Sequence, residues 1–214
     1  NSYINNKEVH IEGINNIDQL DISNANLLGY KIKLIGISEF KDKKITQRVH
    51  PCLIKKNSYI AKIDGVLNAV IIEGKPAGQT VIQGEGAGPE ATTSALISDI
   101  SSIMRGNIKF PFVIPYNKRK SLKFEKINNK YFSSYLRLEV IDKHGVLSNI
   151  TKILAKNKVS IKRLIQSPYK SKKYSSITII THKSKDDKLT KIVTQLSKKN
   201  FILKKPKLIR IENI

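Results

Sequence analysis

The spacing of apolar and polar positions changes several times along this 214-residue chain, and each change marks an element. After an opening Val9-His10-Ile11-Glu12-Gly13-Ile14, Asp18 is placed to cap a short helix running to about Leu28, which Gly29 ends. Lys31 to Phe40 alternates, with Ile32, Leu34, Ile35 and Ile37 apolar, and predicts a strand. Lys41-Asp42-Lys43-Lys44 is a polar turn. Ile45 to Ile54 is the returning strand, in which Pro51 predicts an edge or a bulge. Ser58 to Ile63 is short and irregular or helical. Val66 to Glu73 and Gln79 to Gln83 are strands joined by the turn Gly74-Lys75-Pro76-Ala77-Gly78. Several antiparallel strands on short loops predict an open sheet with one face covered. A helix follows from Pro89 to about Arg105, with Leu96, Ile97, Ile100, Ile103 and Met104 forming an apolar face.

The pattern breaks at Pro111, Pro115 and Asn117-Lys118-Arg119-Lys120, a basic linker that Phe110 and Phe112 are placed to dock. The last segment has the cleanest periodicity. Tyr135 to Ile141 alternates as a strand. Val146 to Asn157 is a helix with Val146, Leu147, Ile150, Ile153 and Leu154 on one face. Val159 to Gln166 and Tyr174 to Thr181 are strands, Asp186 to Lys198 is a helix, and Phe201 to Ile211 is a closing strand. The order βαββαβ is the ferredoxin-like plan. The predicted class is therefore α+β: a mostly antiparallel sheet with covering helices, then a ferredoxin-like module. The boundaries fall at 1–106, a linker 107–132, and 133–214.

Composition narrows the function classes. At 40% hydrophobic, the chain can bury real cores. It shows no signal peptide and no apolar run long enough to span a membrane. It begins at Asn1 and its one methionine is Met104, so a piece of a longer protein is expected. Cys52 is the single thiol, cannot form an internal disulfide, and suits a reducing cytoplasm. It lies in a strand-like run and reads as structural, since nothing marks it as activated. The formal charge of +22 raises the question of nucleic acid. Lysine, however, supplies 33 of the 39 basic residues and is scattered, whereas bidentate phosphate and base recognition favours arginine. No nucleic-acid partner is predicted. The 4 histidines show no metal-ligand spacing, so no metal is predicted either.

Two loops carry candidate chemistry. Asp142-Lys143-His144-Gly145-Val146-Leu147 joins a strand to a helix. Asp142 can cap that helix, Gly145 permits a sharp turn, and the freed amides at the helix start can hold a carboxylate. An ordinary capped turn explains the same residues. Gly84-Glu85-Gly86-Ala87-Gly88 also leads from a strand into a helix, where amides suit phosphate or carbonyl contacts. Its G-x-G-x-G spacing is not the dinucleotide fingerprint, and a tight structural turn accounts for it equally well.

With Asp142, Gly145, Val146 and Leu147 in the loop of a βαββαβ module, residues 133–214 resemble the ACT family of amino-acid sensors. His144 departs from the proline or arginine often seen at that place. The run Val81-Ile82-Gln83-Gly84-Glu85-Gly86-Ala87-Gly88-Pro89-Glu90-Ala91-Thr92-Thr93-Ser94-Ala95 resembles the C-terminal signature of homoserine dehydrogenases. Gly29 to Ile37, Glu12-Gly13-Ile14, Val49-His50-Pro51 and Asn68-Ala69-Val70 match that family in the same order. The resemblance implies a substrate and dimerisation domain over 1–106 and an ACT regulatory domain over 133–214. It implies an NAD or NADP cofactor, with Gly88 touching the dinucleotide and Gly86 and Thr92 beside it. Homoserine is the implied substrate, interconverted with aspartate semialdehyde in threonine and methionine biosynthesis. The implied effector is an amino acid, with threonine expected, at Asp142, Gly145, Val146 and Leu147. A homodimer or higher homo-oligomer is implied. The family's catalytic aspartate and lysine belong to a segment upstream of the Val9–Ile14 block, so no residue here is assigned as catalytic. Lys33 and Asp21 lie in blocks that match a later part of the family. The alternative is a stand-alone ACT-type amino-acid-binding protein without catalytic activity.

Overall fold

The computed structural model describes residues 2–3, 6–107, 115–169 and 171–214. In chain order its longer elements are α1 (Gln19–Leu27), β1 (Tyr30–Lys41), β2 (Lys44–Lys55), β3 (Leu67–Gly74), β4 (Gly78–Glu85), α2 (Pro89–Met104), β5 (Tyr131–Ile141), α3 (Val146–Lys156), β6 (Ile161–Tyr169), β7 (Ser171–Thr181), α4 (Asp186–Ser197) and β8 (Lys207–Ile211). The protein is α+β. It divides into two compact units, one of residues 1–3 and 56–121, the other of 4–55 and 122–214.

In the larger unit, β5, α3, β6, β7, α4 and β8 form the ferredoxin-like module. Its strands pair antiparallel in the order β8-β5-β7-β6. Alternation in the strands and helical spacing in α3 and α4 bring one core together. Leu136, Leu138, Val140, Ile177 and Ile179 meet Val146, Ile150, Leu154, Leu189, Ile192 and Leu196. The closing strand is shorter than its apolar run. Phe201 to Pro206 lies outside β8, apart from a single bridge between Ile202 and Val140. Pro206 has no N–H to extend the ladder.

The sheet continues beyond the module because β8 pairs parallel with β2 at Cys52 and Leu53. Two short strands take turns along the same edge of β2. His10–Ile11 stands against Arg48 and Val49, and Lys123–Phe124 against Lys44 and Ile45. The hairpin partner β1 pairs with β2 along its other edge. Asp42 and Lys43 close that hairpin with φ of 50° and 60°, the positive values a two-residue turn needs to follow strand twist. Pro51 is thus in a central strand rather than at an edge or a bulge. The β1–β2 register runs through it unbroken, and on the other side it falls between the stretches paired with His10–Ile11 and with β8.

Helix α1 covers the second face of this sheet, where Ala25 and Leu28 pack with Leu53, Tyr135, Ile180, Ile209 and Ile211. A capping box starts it. The Asp21 amide donates to Asp18 Oδ1 at 3.1 Å, and the Asp18 amide donates to Asp21 Oδ2 at 3.2 Å. Gly29 follows at φ +83° and lets the chain leave the helix for β1.

The smaller unit contains the β3–β4 ribbon, in register from Leu67–Glu85 to Gly74–Gly78, and α2. The expected single open sheet is therefore two separate sheets. β1 and β2 lie in the large sheet, and among the described residues β3 and β4 pair only with each other. The division in space also differs from the division 1–106, 107–132 and 133–214 along the chain. Residues 4–55 group with 122–214 because β2 and α1 bind both an edge and a face of the ferredoxin-like sheet. Within 107–132, Lys123–Phe124 joins β2 and Ile127 is buried. Phe110, Pro111 and Phe112 lie outside the described residues.

Candidate functional site

The loop Asp142–Leu147 follows β5. Gly145 takes φ +82° and is itself the residue that precedes α3, with no side-chain cap. Asp142, expected to cap that helix, does not. Its Oδ2 accepts from Ser175 Oγ at 2.7 Å, and its amide donates to the Lys173 carbonyl at 2.8 Å. The turn through Gly145 leaves Asp142 three residues before the helix, where β7 lies within its reach. The first amides of α3 consequently receive no carboxylate from the loop, although Val146 N–H reaches the Lys143 carbonyl at 3.3 Å. Asp142 and Leu147 are exposed, as is His144, whereas Val146 is buried in the core. Three of the four expected effector residues thus border solvent at the loop, and Val146 supports it from beneath.

The glycine loop leaves β4 at Glu85. Each glycine has a different reason. Gly88 takes φ +115° ahead of Pro89, the first residue of α2, a conformation that side chains rarely adopt. Gly86 has no such φ, but a Cβ there would lie 1.6 Å from Asn68 Nδ2, so the Asn68 carboxamide occupies its place. The Gly86 amide donates to the Val66 carbonyl at 2.9 Å and extends the ribbon by one bond. Thr92 is tied back to the Gly88 carbonyl by its amide at 3.1 Å and its hydroxyl at 2.8 Å. The result is an exposed turn at a helix N-terminus, open at Gly88 and covered by the Asn68 carboxamide on the Cβ side of Gly86. Such a surface fits the flat, closely approaching groups of a dinucleotide, although Glu90 in the first turn opposes an anion directly at the helix axis.

Neither loop contains the most heavily bonded side chains. Arg137 is 2% exposed on the α1 face of β5. It donates to Asp21 Oδ1 at 2.6 Å and Oδ2 at 3.2 Å, to Asp18 Oδ2 at 2.5 Å and to Glu139 Oε1 at 2.7 Å. Tyr135 Oη also donates to Asp21, and burial pushes its phenol upward despite a hydrogen bond from Asn24. Asp21 is fully buried and anchors α1, which explains its presence without a catalytic role. At the β2–β8 seam, Arg48 grips Glu212 at 2.8 and 3.1 Å, and Arg210 grips Asp186 at 2.7 and 3.1 Å and Glu12 at 2.8 Å. Both guanidinium groups lie over Phe132, at 5.6 and 5.8 Å from its centroid. Burial alone would raise the Glu212 carboxyl, but hydrogen bonds from His50 and Arg48 hold it below the usual carboxylate range. Burial would likewise raise Glu12, but His10 and Arg210 bring it to about 2.

The pairing of these charged residues is not visible in the sequence, although Glu12, Asp18 and Asp21 stand out there for other reasons. In an alternating strand the polar face reads as solvent-facing, and only the position of α1 shows that it is covered. A usable signal existed: arginine is scarce in this lysine-rich chain, and 3 of its 6 arginines are in these pairs. Cys52 is buried, and burial followed by the field of Glu212 pushes its thiol up to about 12, which leaves it unreactive. Among the described residues, no group of three or more His, Cys, Asp and Glu is placed to hold a metal ion. No helix there is long and apolar enough to cross a membrane.

Loops and fold together define a class: an α+β chain in which a strand–ribbon–helix region precedes a ferredoxin-like module. Residues 1–101 match the homoserine dehydrogenase family model, and residues 136–204 match the model of the AHAS small subunit-like ACT domain. Similar relatives include the homoserine dehydrogenases of Helicobacter pylori, 35% identical over 97% of this chain and 49% of that protein, and of Neisseria gonorrhoeae, 32% identical over 96% and 48%. The crystal structure of a homoserine dehydrogenase from Thiobacillus denitrificans superposes with a TM-score of 0.82 at 30% identity, covering 97% of this chain and 48% of that one. The chain spans about half the length of the relatives it matches. These matches identify a homoserine dehydrogenase region followed by an ACT domain.

Proposed function

We infer that this chain serves an NAD(P)-dependent homoserine dehydrogenase, interconverting homoserine and aspartate semialdehyde. The observation that carries this reading is the continuous match to homoserine dehydrogenases across 97% of the chain. A nicotinamide dinucleotide supplies hydride exchange when bound. The chain's own part is the bare turn at Gly88, with Gly86 beside it under the Asn68 carboxamide and Thr92 fixing the turn into α2. The ACT module acts as the sensor of an amino acid, threonine, with Asp142, Gly145 and Leu147 at the loop and Val146 holding it. A homodimer is part of this reading. The apolar stripe of α2, with Leu96, Ile97, Ile100, Ile103 and Met104 all exposed in this unit, supports further protein contacts.

The purified chain is expected to show no homoserine-dependent reduction of NAD or NADP, because it contains no assigned acid–base residue. Measurable turnover would overturn that statement. Calorimetry with threonine and a panel of other amino acids tests the sensor. Binding that Gly145→Val abolishes supports it, and equal binding by the variant counts against the loop.

A further inference from the structure

Helix α1 leaves part of the second face of the sensor sheet uncovered. There Leu20 and Leu27 of α1, and Leu28 just after it, stand across from Ile165 and Pro168 of β6, and Ser176 of β7 lies between them. The cavity has about 80 Å³ of free space. One water needs about 10–15 Å³ in that measure, so the space is several waters large and mostly apolar. Ser176 is 5% exposed, and its Oγ is buried with no hydrogen-bond partner. Polar neighbours do not serve it: Asn24 Nδ2 is committed to Tyr135 Oη at 3.3 Å and Thr178 Oγ1 at 3.2 Å. A buried hydroxyl left unpaired is unfavourable, and a partner restores the lost bond. No ionised side chain lines the cavity, although the chain carries +22. An ion entering it would lose hydration without compensation.

We propose that this cavity binds a small neutral aliphatic molecule with one hydroxyl or carboxamide group, hydrogen-bonded by Ser176 Oγ. About four to six heavy atoms fit the space. The site is separate from the sensor loop. Ser175, whose hydroxyl donates to Asp142, and Ser176 are successive strand residues and point to opposite faces of the sheet. A ligand here touches α1 on one side and β6 and β7 on the other, so its occupancy fastens the helix to the sheet.

The test is an NMR titration of the isotopically labelled full chain with isobutanol, isobutyramide and isobutyrate. Saturable amide shifts at Asn24, Leu28, Ser176 and Thr178 are expected with the first two and not with the anion. Ser176→Ala, which removes an unpartnered hydroxyl and so retains the fold, should weaken isobutanol binding roughly fivefold. Leu27→Trp, at an exposed rim position, should abolish it while leaving the remaining spectrum in place. Shifts that do not saturate, equal shifts with isobutyrate, or unchanged affinity in Ser176→Ala would overturn the proposal. So would shifts at these residues that grow with protein concentration alone, which would mean that a second copy fills the space.

Discussion

At the residue scale, the controlling feature is a single guanidinium serving three carboxylates. Arg137 is desolvated by burial, but Asp21, Asp18 and Glu139 more than offset that cost and keep it charged. Replacing it by methionine leaves the fully buried Asp21 without its cation, while Glu139 keeps Lys204 at 3.3 Å and Asp18 keeps Lys207 at 3.9 Å. Arg137→Met is expected to lose about 3–5 kcal/mol in urea unfolding, the usual cost of breaking a buried pair from one side. Acid should act on the other cluster. The Glu12 carboxyl is lowered from 4.5 to about 2, so its contribution is complete above the unfolded value and is lost as pH falls from 4.5 toward 2. Glu212 is shifted in the same direction. Thermal melts of the wild type should therefore decline across that window, and Glu12→Gln should flatten the decline. The residues themselves were plain in the sequence, but their pairing was not. Arg137 is more than a hundred positions from Asp21, and no local pattern joins them.

At the element scale, caps and glycines decide where helices begin. The Asp18 cap of α1 and the turn at Gly29 were legible because both act over three or four residues, whereas the return bond from Asp21 that completes the box came only with the structure. Asp142 was not, because its spacing allowed a cap while a serine on a distant strand provided a partner instead. Gly145 keeps its assigned role, since its positive φ is a local demand. The two loop glycines separate experimentally. Gly88→Ala meets backbone strain and is expected to cost about 1–2 kcal/mol whatever surrounds it. Gly86→Ala instead collides with Asn68 and should cost about 0.5–1.5 kcal/mol as that side chain leaves its rotamer. Adding Asn68→Ala should recover the Gly86→Ala loss and leave the Gly88→Ala loss intact, as measured by a double-mutant cycle of chemical unfolding.

At the scale of the whole molecule, the two units differ in how much they bury. The ferredoxin-like unit has a core on each face of its sheet, whereas Ala61 is the single buried residue among the described residues of the other unit. Amides of β5 and β7 are therefore expected to exchange with solvent far more slowly than those of β3, β4 and α2. Comparable protection in both units, measured by hydrogen exchange, would contradict that reading. The +22 charge is mostly scattered lysine, whereas Arg48, Arg137 and Arg210 are turned inward against carboxylates. The sequence by itself determined the βαββαβ order, the helix starts and the family. All of these are written in short-range periodicity and in runs of neighbouring residues. The tertiary structure alone settled that α1 and β2 join the ferredoxin-like sheet and that Pro51 lies inside it. It also decided that the polar face of β5 is a buried ionic seam. Those outcomes depend on which distant edges and faces meet, and the period of a strand specifies two faces without specifying what covers each one.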